Sequence, residues 1–99
     1  MQKFDVFRIG SDLYLVVQAE HLLALNTIIL VPVLPTEMLP EISRLTVDVQ
    51  IEDEPYRVRT NMPLTVEARR LRSLTPVSRL SLDEGQKVMD GLNTILWGL

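Results

Sequence analysis

Alternating apolar and polar positions mark the first half of the chain and predict antiparallel β structure. The segments KFDVFRI and LYLVVQA are rich in β-branched and aromatic residues, which strands favour. Between them lie Gly10, Ser11 and Asp12, residue types that accept turn geometry. This pattern predicts a β-hairpin near the N-terminus.

The clearest alternation lies in LTVDVQI, where every second residue is apolar, as expected of a half-buried strand. The apolar positions are Leu45, Val47, Val49 and Ile51. The segment YRVRT follows, and a four-residue loop over 52–55 would join the two strands. Such a loop would place Asp48 opposite Arg59 on the exposed face and Val49 opposite Val58 beneath it. The sequence therefore predicts a second hairpin in this register.

The longest apolar run, TIILVPVLP, has apolar residues at consecutive positions, so both of its faces are expected to be covered. Pro32 cannot donate a hydrogen bond to a neighbouring strand, and we expect it at a bulge or with its nitrogen facing away from a partner. The run therefore predicts a bent central strand. The next segment, TEMLPEISR, predicts an irregular crossover with one helical turn, limited by Pro35 and Pro40.

The C-terminal segment has helical periodicity. Ser81 followed by Glu84 forms the pattern of a capping box. One helical stripe carries the apolar residues Val88, Leu92, Ile95, Leu96 and Leu99. Gly85 and Gly91 each weaken a helix interior by about 1 kcal/mol relative to alanine. We therefore expect the helix to depend on docking its apolar stripe against the sheet.

The segment over 61–74, NMPLTVEARRLRSL, is ambiguous, because β-compatible residues come first and helix formers follow Val66. We interpret it as a strand or arm that leads into a short turn. Together the elements predict a mainly β (α+β) fold: a small SH3-like antiparallel barrel or sheet with one C-terminal α-helix. A chain of 99 residues has single-domain length, so 1–99 is expected to form one domain.

Composition narrows the functional classes. A net charge of −3 and a pI near 5.0 do not predict a surface that follows nucleic-acid phosphates. The one basic concentration is Arg69, Arg70 and Arg72, either a solvated surface or a functional patch. There is no cysteine, the N-terminal segment does not have the pattern expected of a signal peptide, and no apolar run is long enough to cross a bilayer. We expect a cytoplasmic protein, and its short length makes a homodimer reasonable.

Catalytic motifs are absent from the sequence. It contains no phosphate-binding glycine loop, no nucleophile elbow, no zinc-protease motif and no cysteine cluster. The single histidine, His21, has no companion ligand for a metal. The carboxylate pairs Glu52 with Glu54 and Asp83 with Glu84 are explained as turn and cap residues. We therefore expect no enzyme activity, no cofactor and no metal.

The unusual feature is the terminus LNTILWGL, which places the only tryptophan, Trp97, just before Gly98 and Leu99. A tryptophan is normally mostly buried, and binding hot spots are enriched in this residue. Two interpretations stay open. Trp97 either covers an edge of the sheet or is presented to a partner.

Three landmarks in order resemble the CcdB family of gyrase-poisoning toxins. VVQAEHLLALNT matches the family's strand, glutamine, paired leucines and threonine at Gln18, Leu22 and Thr27. LTVDVQIEDEPYRVRTNM follows, and the chain ends in the Trp-Gly-aliphatic pattern of the family. The resemblance covers nearly the whole chain. It departs at Val16, where the family usually has an acidic residue, at Leu99 in place of isoleucine, and in extra residues around EARRLRSLTPVS.

The resemblance implies a homodimer of SH3-like barrels that enters the gyrase A-subunit dimer and traps the enzyme on cleaved DNA. The toxin would then be associated with DNA only through gyrase. In the family the terminal tip makes the decisive contact. Carried over, Trp97 would stack on an arginine of gyrase, Gly98 would permit close backbone approach, and Leu99 would add an apolar contact. The family also implies a CcdA-like antitoxin whose disordered segment folds on the toxin.

Two other functions stay open. One is an endoribonuclease of the related barrel-shaped toxins, for which Arg57, Arg59, Arg69 and Thr60 are the candidate residues. The other is a non-toxic homologue that binds the antitoxin and has lost gyrase binding.

Overall fold

One antiparallel sheet organises the chain in the computed structural model, which describes residues 1–98. Seven strands lie in this part of the chain: β1 (Asp5–Ile9), β2 (Asp12–Val16), β3 (Thr27–Pro35), β4 (Thr46–Ile51), β5 (Glu54–Arg59), β6 (Leu64–Glu67) and β7 (Ser78–Arg79). Two α-helices accompany them: α1 (Ala68–Arg72) and α2 (Leu82–Trp97). Single 3₁₀ turns lie at Glu20–Leu22 and Thr36–Met38.

The strands follow the order β4-β5-β3-β2-β1-β7, and β6 pairs with β3. The curled antiparallel sheet with a C-terminal helix confirms the predicted fold class. Helix α1, five residues long, is an addition to that prediction. No helix in 1–98 has the length and apolar character needed to span a membrane.

The N-terminal hairpin and the central strand are both confirmed. Strands β1 and β2 pair around Gly10 and Ser11, where Gly10 has a φ of 65°. Strand β3 pairs with β2 along one edge, while its other edge pairs with β6 from Thr27 to Leu30 and with β5 from Val33 onward. Pro32 lies where that second edge changes partner, which explains how a central strand accommodates a residue without an N–H.

The register predicted for the second hairpin is wrong by two residues. Asp48 lies opposite Arg57 and Val49 lies opposite Tyr56. The cause is a two-residue turn at Glu52 and Asp53, whose φ angles of 52° and 65° are both left-handed. Such a turn matches the twist of paired strands, but it favours Asn-Gly, so the residue types do not predict it. A shift of two leaves every side chain on its predicted face.

Two hydrophobic clusters cover the two faces of the sheet. The first lies under α2 and includes Leu15, Val31, Val58, Val88 and Leu92. The second lies on the opposite face and joins Phe7, Val16, Leu23, Ile28, Leu30, Ala68 and Leu71. Strands β1 to β3 contribute to both clusters, so their side chains are covered on both faces.

The ambiguous segment after β5 forms a strand and then a helix. Strand β6 pairs with β3, and α1 begins where the amide of Ala68 donates to the carbonyl of Asn26 at 2.7 Å. Ala68 and Leu71 are fully buried. The Arg72 guanidinium donates to the carbonyls of Leu23 and Leu25. Helix α1 is therefore held by burial on one face and by hydrogen bonds to the preceding loop.

The glycines of α2 permit close packing. A Cβ on Gly85 would lie 2.4 Å from the ring of Phe4, and one on Gly91 would lie 2.9 Å from the carbonyl oxygen of Arg44 and 3.0 Å from Thr60. Thr60 is itself buried and donates its hydroxyl to the carbonyl of Leu45. The two glycines lower the helix propensity of α2, but they allow the helix to pack closely against the rest of the protein.

We predict that Gly91→Ala destabilises the protein by about 1–3 kcal/mol, because overpacking against backbone outweighs the gain in helix propensity. The matched control is Asn93→Ala, an exposed position on the same helix, which should be neutral or slightly stabilising. Urea unfolding followed by circular dichroism measures both. A Gly91→Ala protein as stable as the parent would contradict this packing.

We predict that the double variant Glu52→Asn, Asp53→Gly raises the free energy of unfolding by about 1 kcal/mol, since both new residues accept the left-handed turn. Asp53→Val should lower it by a similar amount, because a β-branched residue is strained at positive φ. Thermal unfolding compares the two variants. Equal melting temperatures would show that the turn is not left-handed.

Candidate functional site

Helix α2 is firmly anchored at its start. The Ser81 hydroxyl accepts from the Glu84 amide at 3.1 Å, and the Glu84 carboxylate accepts from the Ser81 amide at 3.2 Å. This confirms the predicted capping box. The same carboxylate accepts from the Gln50 amide at 3.0 Å. Glu84 therefore joins the first turn of the helix to the edge strand β4, a contact that the sequence pattern does not indicate.

The docked part of α2 ends at Leu92. Val88 is fully buried and Leu92 is 8% exposed, whereas exposure rises to 71% at Leu96 and 73% at Trp97. The last turn of the helix therefore extends beyond the sheet that supports the rest of it. Trp97 does not cover a sheet edge, so the interpretation of a covering indole is wrong for this chain. We call Leu96, Trp97 and Gly98 the tip.

Gly98 ends the helix in the left-handed conformation, with a φ of 72°, and its amide donates to the carbonyl of Thr94 at 2.8 Å. A Cβ at Gly98 would meet no atom within 4 Å among the described residues, so the need for glycine is conformational. This reason adds to the close approach that the resemblance implies. Leu99, the third predicted tip residue, lies outside the described residues.

The electrostatics of the tip favour a cation. The carbonyl dipoles of α2 leave partial negative charge at its C-terminus, and its last turn contains no basic residue. An exposed indole face lies at the same place. Both features attract a positively charged group such as a guanidinium. The tip can therefore bind a cationic side chain through a ring face and a helix end together.

The endoribonuclease candidates do not share an exposed surface. Thr60 is fully buried beneath α2. Arg69 forms an exposed ion pair with Glu67 at 2.6 Å. Arg59 donates to the side chain of Asn61 at 2.8 Å. Of the four residues, Arg57 and Arg59 share one face of β5 by alternation.

Arg57 has a structural role. Its guanidinium donates to the Asp48 carboxylate at 2.6 Å and to the carbonyl of Leu39 at 2.6 Å, and its side chain is 15% exposed. The hydrogen bond to Asp48 raises the pKa of Arg57 above its ordinary value, while burial opposes that rise. These bonds tie the irregular crossover to the β4–β5 hairpin.

Other candidate sites carry little chemistry. Within the described part of the chain, no three carboxylate, histidine or cysteine side chains are placed to hold a metal ion. His21 is exposed in a 3₁₀ turn. A groove of about 450 Å³ runs between β4 and α2 and is lined by charges of both signs, Arg44, Asp48, Lys87 and Asp90 among them.

Gln18, one of the landmarks of the resemblance, has a clear structural role. Its side-chain amide donates to the carbonyls of Leu22 and Thr27, and its oxygen accepts from the amide of Ile29. It therefore closes the loop between β2 and β3. A glutamine is suited to this role because it offers both donors and an acceptor.

Comparison with known families decides the classification. The profile described as CcdB protein matches residues 3–98, nearly the whole chain. The chain belongs to the CcdB family. It is thereby placed among the toxins of toxin–antitoxin systems.

Solved structures share the fold at low identity. An endoribonuclease from a mycobacterial species has a TM-score of 0.81 and 17% identity, covering 100% of this chain and 92% of the other. An endoribonuclease in complex with its cognate antitoxin, also mycobacterial, has a TM-score of 0.78 and 18% identity, covering 100% and 96%. The MazE-MazF complex from Deinococcus radiodurans has a TM-score of 0.74 and 12% identity, covering 97% and 95%. No curated protein sequence matches the chain significantly.

One departure from the family has a physical reason. Val16, where the family usually carries an acidic residue, is fully buried in the cluster with Phe7 and Leu30. An unpaired carboxylate there would lose its hydration. Ala68 and Leu71 of α1 belong to the same cluster, so the segment EARRLRSL helps to bury Val16.

We predict that Trp97→Ala changes the free energy of unfolding by no more than about 0.5 kcal/mol, because the indole is largely exposed. The comparison variant is Leu92→Ala on the same helix, which should cost about 2–5 kcal/mol because its side chain is buried. Urea unfolding monitored by circular dichroism measures both. A large loss of stability in Trp97→Ala would mean that the ring packs in the protein.

Proposed function

We propose that this protein is a gyrase poison: it binds the gyrase A subunit and traps the enzyme on cleaved DNA, so that replication and transcription stop. The observation that carries the proposal is the tip, an indole 73% exposed beyond the docked part of α2. Membership of the CcdB family supports the choice of target. The protein performs no chemistry of its own and needs no cofactor.

The physical basis of the contact is a cation on an aromatic face. Trp97 stacks on an arginine of gyrase, a contact of about 0.5–2 kcal/mol beyond the burial of apolar area. The uncompensated end of α2 adds attraction for the same guanidinium. Gly98 turns the chain away so that its backbone can approach gyrase closely, and Leu99 adds an apolar contact.

The proposed partners are those of the CcdB family. Two copies form a homodimer and present two tips, which suits a target that is itself a dimer. An antitoxin neutralises the toxin through a disordered segment that folds on its surface. Structural neighbours in complex with antitoxins support that partner. Gyrase acts on the chromosome, so the toxin works in the cytoplasm.

The alternative is an endoribonuclease, which the shared fold of the endoribonuclease neighbours favours. It has less support from the residues. Thr60 is buried, and Arg57 and Arg69 are paired with carboxylates.

The test is a cleavage assay with gyrase, supercoiled plasmid and ATP, in which detergent and protease release trapped breaks as linear DNA. The parent protein should produce linear DNA. Trp97→Ala should need about tenfold more protein for the same yield, because the stacking contact is lost. Leu82→Ala is the control, since Leu82 is 83% exposed at the opposite end of the same helix.

A Trp97→Ala variant that traps gyrase as well as the parent removes the tip from the mechanism. A parallel incubation of the parent with RNA separates the alternatives. Cleaved RNA without trapped gyrase would establish the endoribonuclease. Neither activity would indicate a homologue that has lost its toxicity.

A further inference from the structure

Two arginines from distant parts of the chain line one small cavity. Arg8 of β1 and Arg70 of α1 border a cavity of about 260 Å³, together with Ile9, Gly10, Ser73 and Leu74. Both arginines are exposed. None of these six residues carries a carboxylate. In a chain with a net charge of −3, this is a local concentration of uncompensated positive charge.

The neighbouring arginines of α1 differ from Arg70. Arg69 is paired with Glu67, and Arg72 donates to two loop carbonyls. In the described chain, by contrast, the Arg70 side chain has no hydrogen-bond or ion-pair partner, and Arg8 makes only a 3.5 Å bond to the carbonyl of Ser11. Arg8 and Arg70, neither of which has an ion-pair partner within residues 1–98, therefore line the same cavity.

An apolar groove continues from the other side of Arg8. It has a volume of about 270 Å³ and is lined by Arg8, Leu13, Met38 and Tyr56 among others. Met38 is 67% exposed. Asp12 also borders this groove, but it forms no ion pair with Arg8 within residues 1–98. Arg8 thus stands between an apolar groove and a basic cavity.

We propose that this surface binds an acidic peptide segment of a partner protein, with apolar side chains in the groove and carboxylates on Arg8 and Arg70. Two positive charges that line the same cavity repel each other, and a carboxylate bound in the cavity is attracted by both. Guanidinium groups bind carboxylates in a bidentate way, with two parallel hydrogen bonds.

A peptide fits this surface better than a nucleic acid. Phosphate backbones are bound by extended series of basic residues, whereas this site has two arginines next to an apolar groove and a carboxylate at Asp12. The apolar groove beside the basic cavity matches an extended segment in which apolar side chains are followed by acidic ones. Nucleic acid is therefore an outcome for the test to exclude.

The surface shares no lining residue with the tip at Trp97. Under the function proposed above, the antitoxin is the partner that would supply the segment. The binding experiment uses the isolated chain and gives a result whether or not the chain traps gyrase, so the two proposals fail separately.

The experiment is a titration of the ¹⁵N-labelled full chain, followed by amide chemical shifts, with the acetylated and amidated peptide Leu-Leu-Glu-Glu. We expect saturable shifts at the amides of Gly10 and Ser73. The peptide Leu-Leu-Gln-Gln should bind roughly tenfold more weakly, because charge-assisted hydrogen bonds are lost. Arg8→Gln and Arg70→Gln should each weaken binding of the acidic peptide by a similar factor.

Arg69→Gln is the matched control, since it removes the same charge from the same helix at a position outside the cavity. It should change the affinity less than about twofold. The amide spectra also show whether each variant is folded. The proposal is overturned by equal binding of both peptides, by an equal loss in Arg69→Gln, by no shift at millimolar peptide, or by tighter binding of inorganic phosphate or an oligonucleotide at the same amides.

Discussion

Gly91 lets helix α2 lie against the carbonyl of Arg44 and the side chain of Thr60, and this close contact is what the rest of the molecule depends on. Because the helix approaches so closely, Val88 and Leu92 enter the core beneath it. Glu84 fixes the other end of the helix to strand β4 through the amide of Gln50. With both points held, the direction of the last turn is set by the body of the protein. Its apolar residues are left outside, and burial of apolar surface normally drives folding. In this protein, burial of apolar surface stabilises α2 as far as Leu92, and the side chains of the tip remain exposed.

The exposed tip and the arginine pair show two ways in which a small domain can present binding surfaces without a deep pocket. At the tip, an exposed indole lies at the partially negative C-terminal end of α2, and both features favour binding of a cation. At the cavity between β1 and α1, two guanidinium groups coincide and favour an anion. Opposite charge preferences on separate surfaces suit a protein that meets two partners. Helix α1 connects these features to the fold, since its buried face completes the second cluster while Arg70 lies on its exposed face.

The chain belongs to the CcdB family and shares its fold with solved endoribonuclease structures. Similar folds host different functions, so the site residues have to decide between them. Among the candidate ribonuclease residues, Thr60 is buried, and Arg57 and Arg69 form ion pairs on different secondary-structure elements. The tip, by contrast, consists of consecutive residues at the end of one helix. This difference is the reason for preferring a binding function.

The sequence by itself determined the two hairpins, the central strand and helix α2, and it marked Trp97 as unusual, whereas helix α1 and strand β7 were not predicted. Alternation identified the hairpin strands, the Ser81 and Glu84 spacing identified the start of α2, and the terminal tryptophan indicated a candidate site, because these signals are local and depend on neighbours a few positions apart. Tertiary structure alone decided the register of the second hairpin, where left-handed turn residues that are not Asn-Gly shortened the loop. It also decided the role of Gly91, the end of burial at Leu92, and the placing of Arg8 and Arg70 on the same cavity. These depend on distances between residues far apart in the chain, and no local pattern contains them.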